Sequence, residues 1–179
     1  MLFFGGTQVL FFSVLTWLAP LYVDLGWSAQ RAGFVLTAFT VAELGGSLGS
    51  TFLANGFADR RPPLALMLSM SATRLAGAGL APLAFPWGWA VLMGIGIGGT
   101  FALALTLPVD HAASPEATER LTAMTFGIRY TLAAVGPYVV GWLRSTAASF
   151  RTPFVVLATV AAVLLVASVL LRPTRTIDI

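Results

Sequence analysis

Six long apolar runs follow one another along the chain, separated by short stretches rich in Pro, Gly, Ser or charge. A helix needs about 20 apolar residues to cross a bilayer core, and each run meets that length. The runs predict helices over about Leu2–Val23, Arg31–Asn55, Pro63–Phe85, Trp87–Val109, Ala117–Leu143 and Pro153–Leu171. Ser28 is placed to cap the second. Ser114, Pro115 and Glu116 mark the start of the fifth with a capping hydroxyl, a first-turn proline and an acid at the positive helix end. The links between runs are short, so sequential helices are expected to be antiparallel neighbours. The chain reads as one all-α membrane domain, residues 1–179, with six transmembrane helices.

Composition removes the alternatives. Hydrophobic residues make up 58% of the 179 and charged residues only 9%, against about 25% charged in a soluble domain. The lipid bilayer is the expected solvent. The net charge is +3 and every basic residue is arginine. The arginines stand singly between apolar runs rather than in a patch, which argues against nucleic acid. Cysteine is absent, so there is no disulfide framework and no thiolate chemistry. The run from Leu2 has no basic residue before it and no small-residue cleavage site, and is expected to be a retained helix rather than a signal peptide.

Arginine placement sets the orientation. Arg60, Arg61, Arg120, Arg172 and Arg175 flank the links after runs two, four and six. Arg31, Arg144 and Arg151 flank the others. The bias puts both termini in the cytoplasm of a multi-pass protein, with a bacterial inner membrane as the expected location.

Three ionisable residues fall near the middle of apolar runs: Glu43, Arg74 and Arg129. Each such charge costs roughly 2.5–3.5 kcal/mol on insertion scales, so each is expected to face a partner or a water-filled path. Helical phase gives them company. Thr122, Thr125, Arg129, Ala133 and Gly136 share one side of run five, Thr40, Glu43 and Ser47 one side of run two, and Met67, Ser71, Arg74 and Ala78 one side of run three. Gln8, Ser13, Thr16 and Trp17 add polar positions on run one. Two arginines and one glutamate leave one positive charge, which a monovalent anion would balance. Arg129, with its planar fork of donors, is the expected direct contact, and Gln8, Thr125, Thr16 and Trp17 complete the expected solute site. Glu43 and Arg74 form either a structural ion pair on adjacent helices or, through Glu43, a proton-coupling element.

Other features have plainer readings. His111, beside Asp110, is a loop histidine with too few neighbours for zinc. The run Gly94-Ile95-Gly96-Ile97-Gly98-Gly99 has dinucleotide-loop spacing, but it lies inside an apolar run with no preceding strand. It predicts close helix packing instead, as do Gly45, Gly46 and Gly49. No cofactor, metal or enzyme activity is expected. Gly136-Pro137 interrupts the ladder of run five and is either a static bend or a bending point.

In this order the segments resemble a known family. Residues 6–20 (Gly-Thr-Gln-Val-Leu-Phe-Phe-Ser-Val-Leu-Thr-Trp-Leu-Ala-Pro), 98–107 (Gly-Gly-Thr-Phe-Ala-Leu-Ala-Leu-Thr-Leu), 121–124 (Leu-Thr-Ala-Met) and 132–137 (Leu-Ala-Ala-Val-Gly-Pro) resemble the second half of a major facilitator superfamily transporter, closest to the cyanate and nitroimidazole permease branch. The loop Ala58-Asp59-Arg60-Arg61-Pro62 is similar to that superfamily's cytoplasmic loop, although Asn55 stands where the family loop usually has glycine. The resemblance implies half of a major facilitator fold, built as two inverted three-helix repeats. It implies secondary active transport of a small solute such as a cyanate-like or carboxylate compound. Asp59, Arg60 and Arg61 would then act at a cytoplasmic gate. Family members have twelve helices, so a second six-helix half, from the same or another chain, is the expected partner. The competing reading is a non-transporting six-helix membrane partner or an inert fragment of a twelve-helix carrier.

Overall fold

Among the described residues six α-helices form where the six apolar runs lie. The computed structural model describes the backbone over residues 2–55, 61–106 and 115–170, and side chains over 5–50, 52, 62–103, 127, 131 and 133–168. The helices are α1 (Leu2–Asp24), α2 (Ala29–Asn55), α3 (Arg61–Leu80), α4 (Pro86–Thr106), α5 (Pro115–Ala147) and α6 (Arg151–Leu170).

Local chemistry sets the ends. α1 stops at Gly26, whose φ of 88° is open to glycine without strain. There the Trp27 N–H reaches back to the Tyr22 carbonyl at 3.0 Å, satisfying a carbonyl left over at the helix end. Ser28 caps α2, its Oγ accepting from the Arg31 N–H at 3.3 Å. Prolines begin α4 and α5 and occupy the first turns of α3 and α6, where their missing N–H groups have no intrahelical partner to lose. α3 ends at Leu80, five residues before the expected Phe85. The reason is Pro82, which donates no hydrogen bond and disfavours helix at Ala81.

The neighbour relations are specific. The most extensive pairings are α2 with α4 and α3 with α6, followed equally by α1 with α5 and α3 with α4. α4 lies between α2 and α3, which barely touch each other, and α1 reaches α2, α4, α5 and α6. Exchanging α1 with α4, α2 with α5 and α3 with α6 maps α2–α4 onto α1–α5 and α3–α6 onto itself, but maps α3–α4 onto the less extensive α1–α6. The core where these helices converge holds Val14, Leu18, Phe39, Leu68, Leu75, Met93 and Phe154, all fully buried.

Glycine makes the tightest crossing possible. A Cβ on Gly94, Gly98 or Gly46 would run into the main chain of the facing helix, at Phe39–Glu43 for the first two and at Ile95 for the third. Gly96 and Gly99 face Ser71 and Met67 of α3 in the same way. The glycine-rich run is thus a packing surface on two sides of α4.

The outer surfaces are apolar. Phe34, Val41, Leu44, Leu48 and Phe52 of α2, Val135, Tyr138 and Trp142 of α5, and Val163 and Val166 of α6 are all exposed. Among the described residues four helical segments are long and apolar enough to cross a membrane: Gly5–Asp24, Ala29–Ser50, Pro86–Leu103 and Arg151–Ser168. An apolar surface of this extent is soluble in lipid and not in water.

Candidate functional site

α1 is the helix around which the polar residues gather. Its Val9–Ser13–Trp17 stripe packs on α5: Gly136 sits against Val9 and Ser13, and Gly141 against the Trp17 ring. On the other flank Phe11 stacks on Phe39 of α2 at 6.4 Å. By helical phase, Gln8, Phe12, Leu15 and Thr16 occupy the arc between those two contacts, so this arc faces the cleft between α2 and α5.

Gln8 is 4% exposed, and its Oε1 accepts no hydrogen bond from the described residues. Ser13 is fully buried with an equally unpartnered Oγ. An unmet acceptor in an apolar span is expensive, so two on one helix indicate a place where something else supplies the bond. Thr16, two turns beyond Gln8, is exposed. Trp17 is differently employed: its indole N–H donates to the Pro137 carbonyl at 2.8 Å and its ring leans on Phe150 at 5.9 Å. It fastens α1 to the proline of α5.

Glu43 lies one helical step round α2 from Phe39, with its main chain against Gly94 and Gly98. Its neighbour Thr40 bonds the Leu36 carbonyl at 3.0 Å. The pairing of Glu43 with Arg74 expected from the sequence is not made. Among the described residues the ion pair within 4.0 Å is Arg144–Asp24, at 2.6 Å. The physical reason is topological: α4 stands between α2 and α3, so the two helices are not the adjacent pair that their sequence order suggested. Arg74 lies over the Trp89 ring instead, at 5.5 Å, with Nε buried and unpartnered.

Arg129 and Thr125 fall on α5, Arg129 two turns before Gly136 on the face that meets α1; both side chains lie outside the described residues. Asp59, Arg60 and His111 lie outside the described residues altogether. Arg61 begins α3, its side chain likewise not described. The structure therefore puts Gln8 and Thr16 on one arc of α1, engages Trp17 with α5, sets the Glu43 main chain against α4, and sends Arg74 to Trp89. No group of three or more metal-ligating side chains occurs among the described residues.

Two contacts were not foreseen. Trp89, in the first turn of α4, receives Arg74; the signal was its place opposite the end of α3 across a short hairpin. The Asp24–Arg144 bridge ties the ends of α1 and α5, which only knowledge of their pairing would have suggested.

Known proteins give this geometry a context. The family profile described as Major Facilitator Superfamily matches residues 1–178. The cyanate transport protein CynX of Escherichia coli (strain K12) is 32% identical over 148 residues, covering 83% of this chain and 38% of that protein. The uncharacterized transporter YycB of Bacillus subtilis (strain 168) is 32% identical over 164 residues, covering 87% and 39%. The 2-nitroimidazole transporter of Escherichia coli (strain K12) is 26% identical over 152 residues, covering 85% and 38%. The chain thus spans less than two-fifths of the length of each of these relatives.

Proposed function

The chain belongs to the Major Facilitator Superfamily, and from that premise we propose that it forms half of a secondary active transporter for a small, anionic solute. A transporter rather than an enzyme is what its relatives are, and its apolar surface fits an integral membrane protein. The finer reading is a single domain over 1–179 with six spans, made of two inverted three-helix repeats. The partial exchange symmetry of the helix pairings supports the repeats. Both termini would lie in the cytoplasm, with Asp59, Arg60 and Arg61 at the gate on that side.

The single observation that carries the site is Gln8 of α1, buried with an Oε1 that meets no donor among the described residues. Gln8, Thr16, Thr125 and Arg129 would contact the solute, and Trp17 would shape the site through its hold on Pro137. With Arg74 engaged on Trp89, the cleft charge reduces to Arg129 and Glu43. It is zero when Glu43 is ionised and +1 when Glu43 holds a proton. A monovalent anion is balanced in the second state, so one proton would accompany one anion. Cyanate is such an anion, and a relative's printed role names it. The similarity to a 2-nitroimidazole transporter supports a heterocycle as the competing class.

The test is reconstitution in liposomes with an imposed pH gradient, screening cyanate, small carboxylates and neutral heterocycles. Arg129→Gln is expected to abolish uptake of the anions. Equal uptake by parent and variant would remove Arg129 from the site. The second reading, a non-transporting six-helix partner or fragment, is favoured by the short coverage of each relative. It predicts no uptake unless a second six-helix half is supplied; a particle of two such halves in detergent supports the paired carrier.

A further inference from the structure

The hairpin between α3 and α4 is apolar throughout. From Leu75 to Val109 no side chain is ionisable. Its tip is nonetheless outward-facing: Leu80 is 58% exposed, Leu83 54%, Phe85 55% and Trp87 43%. The tip is held in place rather than loose. Tyr22 Oη donates to the Pro82 carbonyl at 3.3 Å, and the Trp89 indole N–H donates to the Ala81 carbonyl at 3.0 Å. The neighbouring links at this end carry charge, with Asp24 bridged to Arg144 and Arg31 stacked on Trp27 at 3.8 Å. A rigid apolar and aromatic tip beside charged links belongs at headgroup depth, where Trp and its neighbours anchor a protein in the interface.

Arg74 reaches toward that tip. Its Cα lies roughly 9 Å below Leu80, at 1.5 Å of rise per residue. Its guanidinium meets the Trp89 ring, and that ring is level with Ala81. The side chain thus brings its charge up from the span toward the interface. There it has no counter-charge among the described residues: Asp24 is bridged to Arg144, and Glu43 lies beyond α4. A cation with an orphaned donor, stacked on an indole at headgroup depth, matches the phosphate of a phospholipid in charge and in hydrogen-bond geometry.

We propose that Arg74, backed by Trp89, binds the phosphate of an anionic phospholipid whose acyl chains lie against Leu80, Leu83 and Phe85. The site is independent of the solute cleft, so it stands or falls apart from the transport reading. The charge is not spare: the lipid supplies the anion that Glu43 does not.

The experiment is native mass spectrometry of the full chain released from detergent with phosphatidylglycerol, diacylglycerol or inorganic phosphate added. One phosphatidylglycerol should remain bound, while neither of the other two should, since each lacks half of the recognised chemistry. Arg74→Met should lower the retained lipid by roughly tenfold or more, the scale of a lost charge-assisted bond. This variant removes a charge from a span and keeps an unbranched apolar stem, so folding is not at risk. Arg31→Gln, on the same side, should leave retention unchanged. Equal retention by Arg74→Met and parent overturns the proposal, as does diacylglycerol binding as well as phosphatidylglycerol. Retention of inorganic phosphate in place of the lipid would reassign Arg74 to a free anion and overturn it equally.

Discussion

Alanine at Gly98 tests the packing that sets Glu43 in place. A Cβ there would lie 2.8 Å from the Glu43 carbonyl carbon and 3.0 Å from its Cα, with the carbonyl oxygen nearer still. These are main-chain atoms, so no rotamer change relieves them and α2 must move away from α4. Overpacking of this kind costs about 1–3 kcal/mol, offset by the better helix propensity of Ala, worth roughly 0.8–1 kcal/mol. Gly45→Ala is the matched control, because a Cβ there meets nothing within 4 Å and only the propensity gain remains. The two variants should therefore differ by about 1–3 kcal/mol, or roughly 2–12 °C in midpoint on the scale of a chain this size. Thermal unfolding of both proteins in one detergent measures the difference. Because Glu43 rides on the displaced backbone, Gly98→Ala should also lose uptake while Gly45→Ala keeps it. Indistinguishable melting of the two variants would mean that α2 and α4 are not in backbone contact, and the placement of Glu43 would go with it.

The proton-coupling role makes uptake rise as external pH falls, since protonated Glu43 is the form that leaves Arg129 free for an anion; Glu43→Gln should flatten that profile, and an unchanged profile would assign the coupling elsewhere. Trp17→Phe keeps an aromatic ring but removes the 2.8 Å bond to Pro137; a loss of about 0.5–1.5 kcal/mol in chemical unfolding is expected, and no loss would show that the bond is not made. Asp24→Asn breaks a bridge whose side chains are 42% and 38% exposed, so it should change stability by less than about 1 kcal/mol and less again at high salt. A larger, salt-independent loss would place that bridge in a buried environment.

The six helices were legible because lipid imposes one rule on every span: apolar side chains outside and all backbone bonds made within the segment. Their ends were legible where a special residue acts alone, as at Ser28 and Pro115. α3 was drawn too long because the apolar run continues to Phe85 while Pro82 ends the helix; hydropathy and backbone chemistry disagree there, and the backbone wins. Neighbour choice was the part that sequence could not supply. The phase of Arg74 on Met67, Ser71 and Ala78 was correct, and Met67 and Ser71 do face α4. What one sequence does not encode locally is that α4 would take the place beside both α2 and α3. A helix wheel fixes the direction of a side chain and says nothing of which helix stands there.

That misplaced neighbour changes the electrostatics more than the geometry. Had Arg74 met Glu43, the pair would have been a neutral strut, and Arg129 alone would have set a permanently positive cleft. With Arg74 on the far side of α4, Glu43 has no counter-ion among the described residues, and in the proposed mechanism its protonation is the variable that decides whether the cleft accepts an anion. A fixed +1 would bind an anion and hold it at either side of the membrane. A charge that toggles between 0 and +1 binds on the acidic side and releases on the other, which is what coupling requires. The same exclusion leaves Arg74 without Glu43 as a partner, so the proposed lipid site and the proposed proton switch both rest on one packing choice: the glycines of α4 that admit α2 so closely.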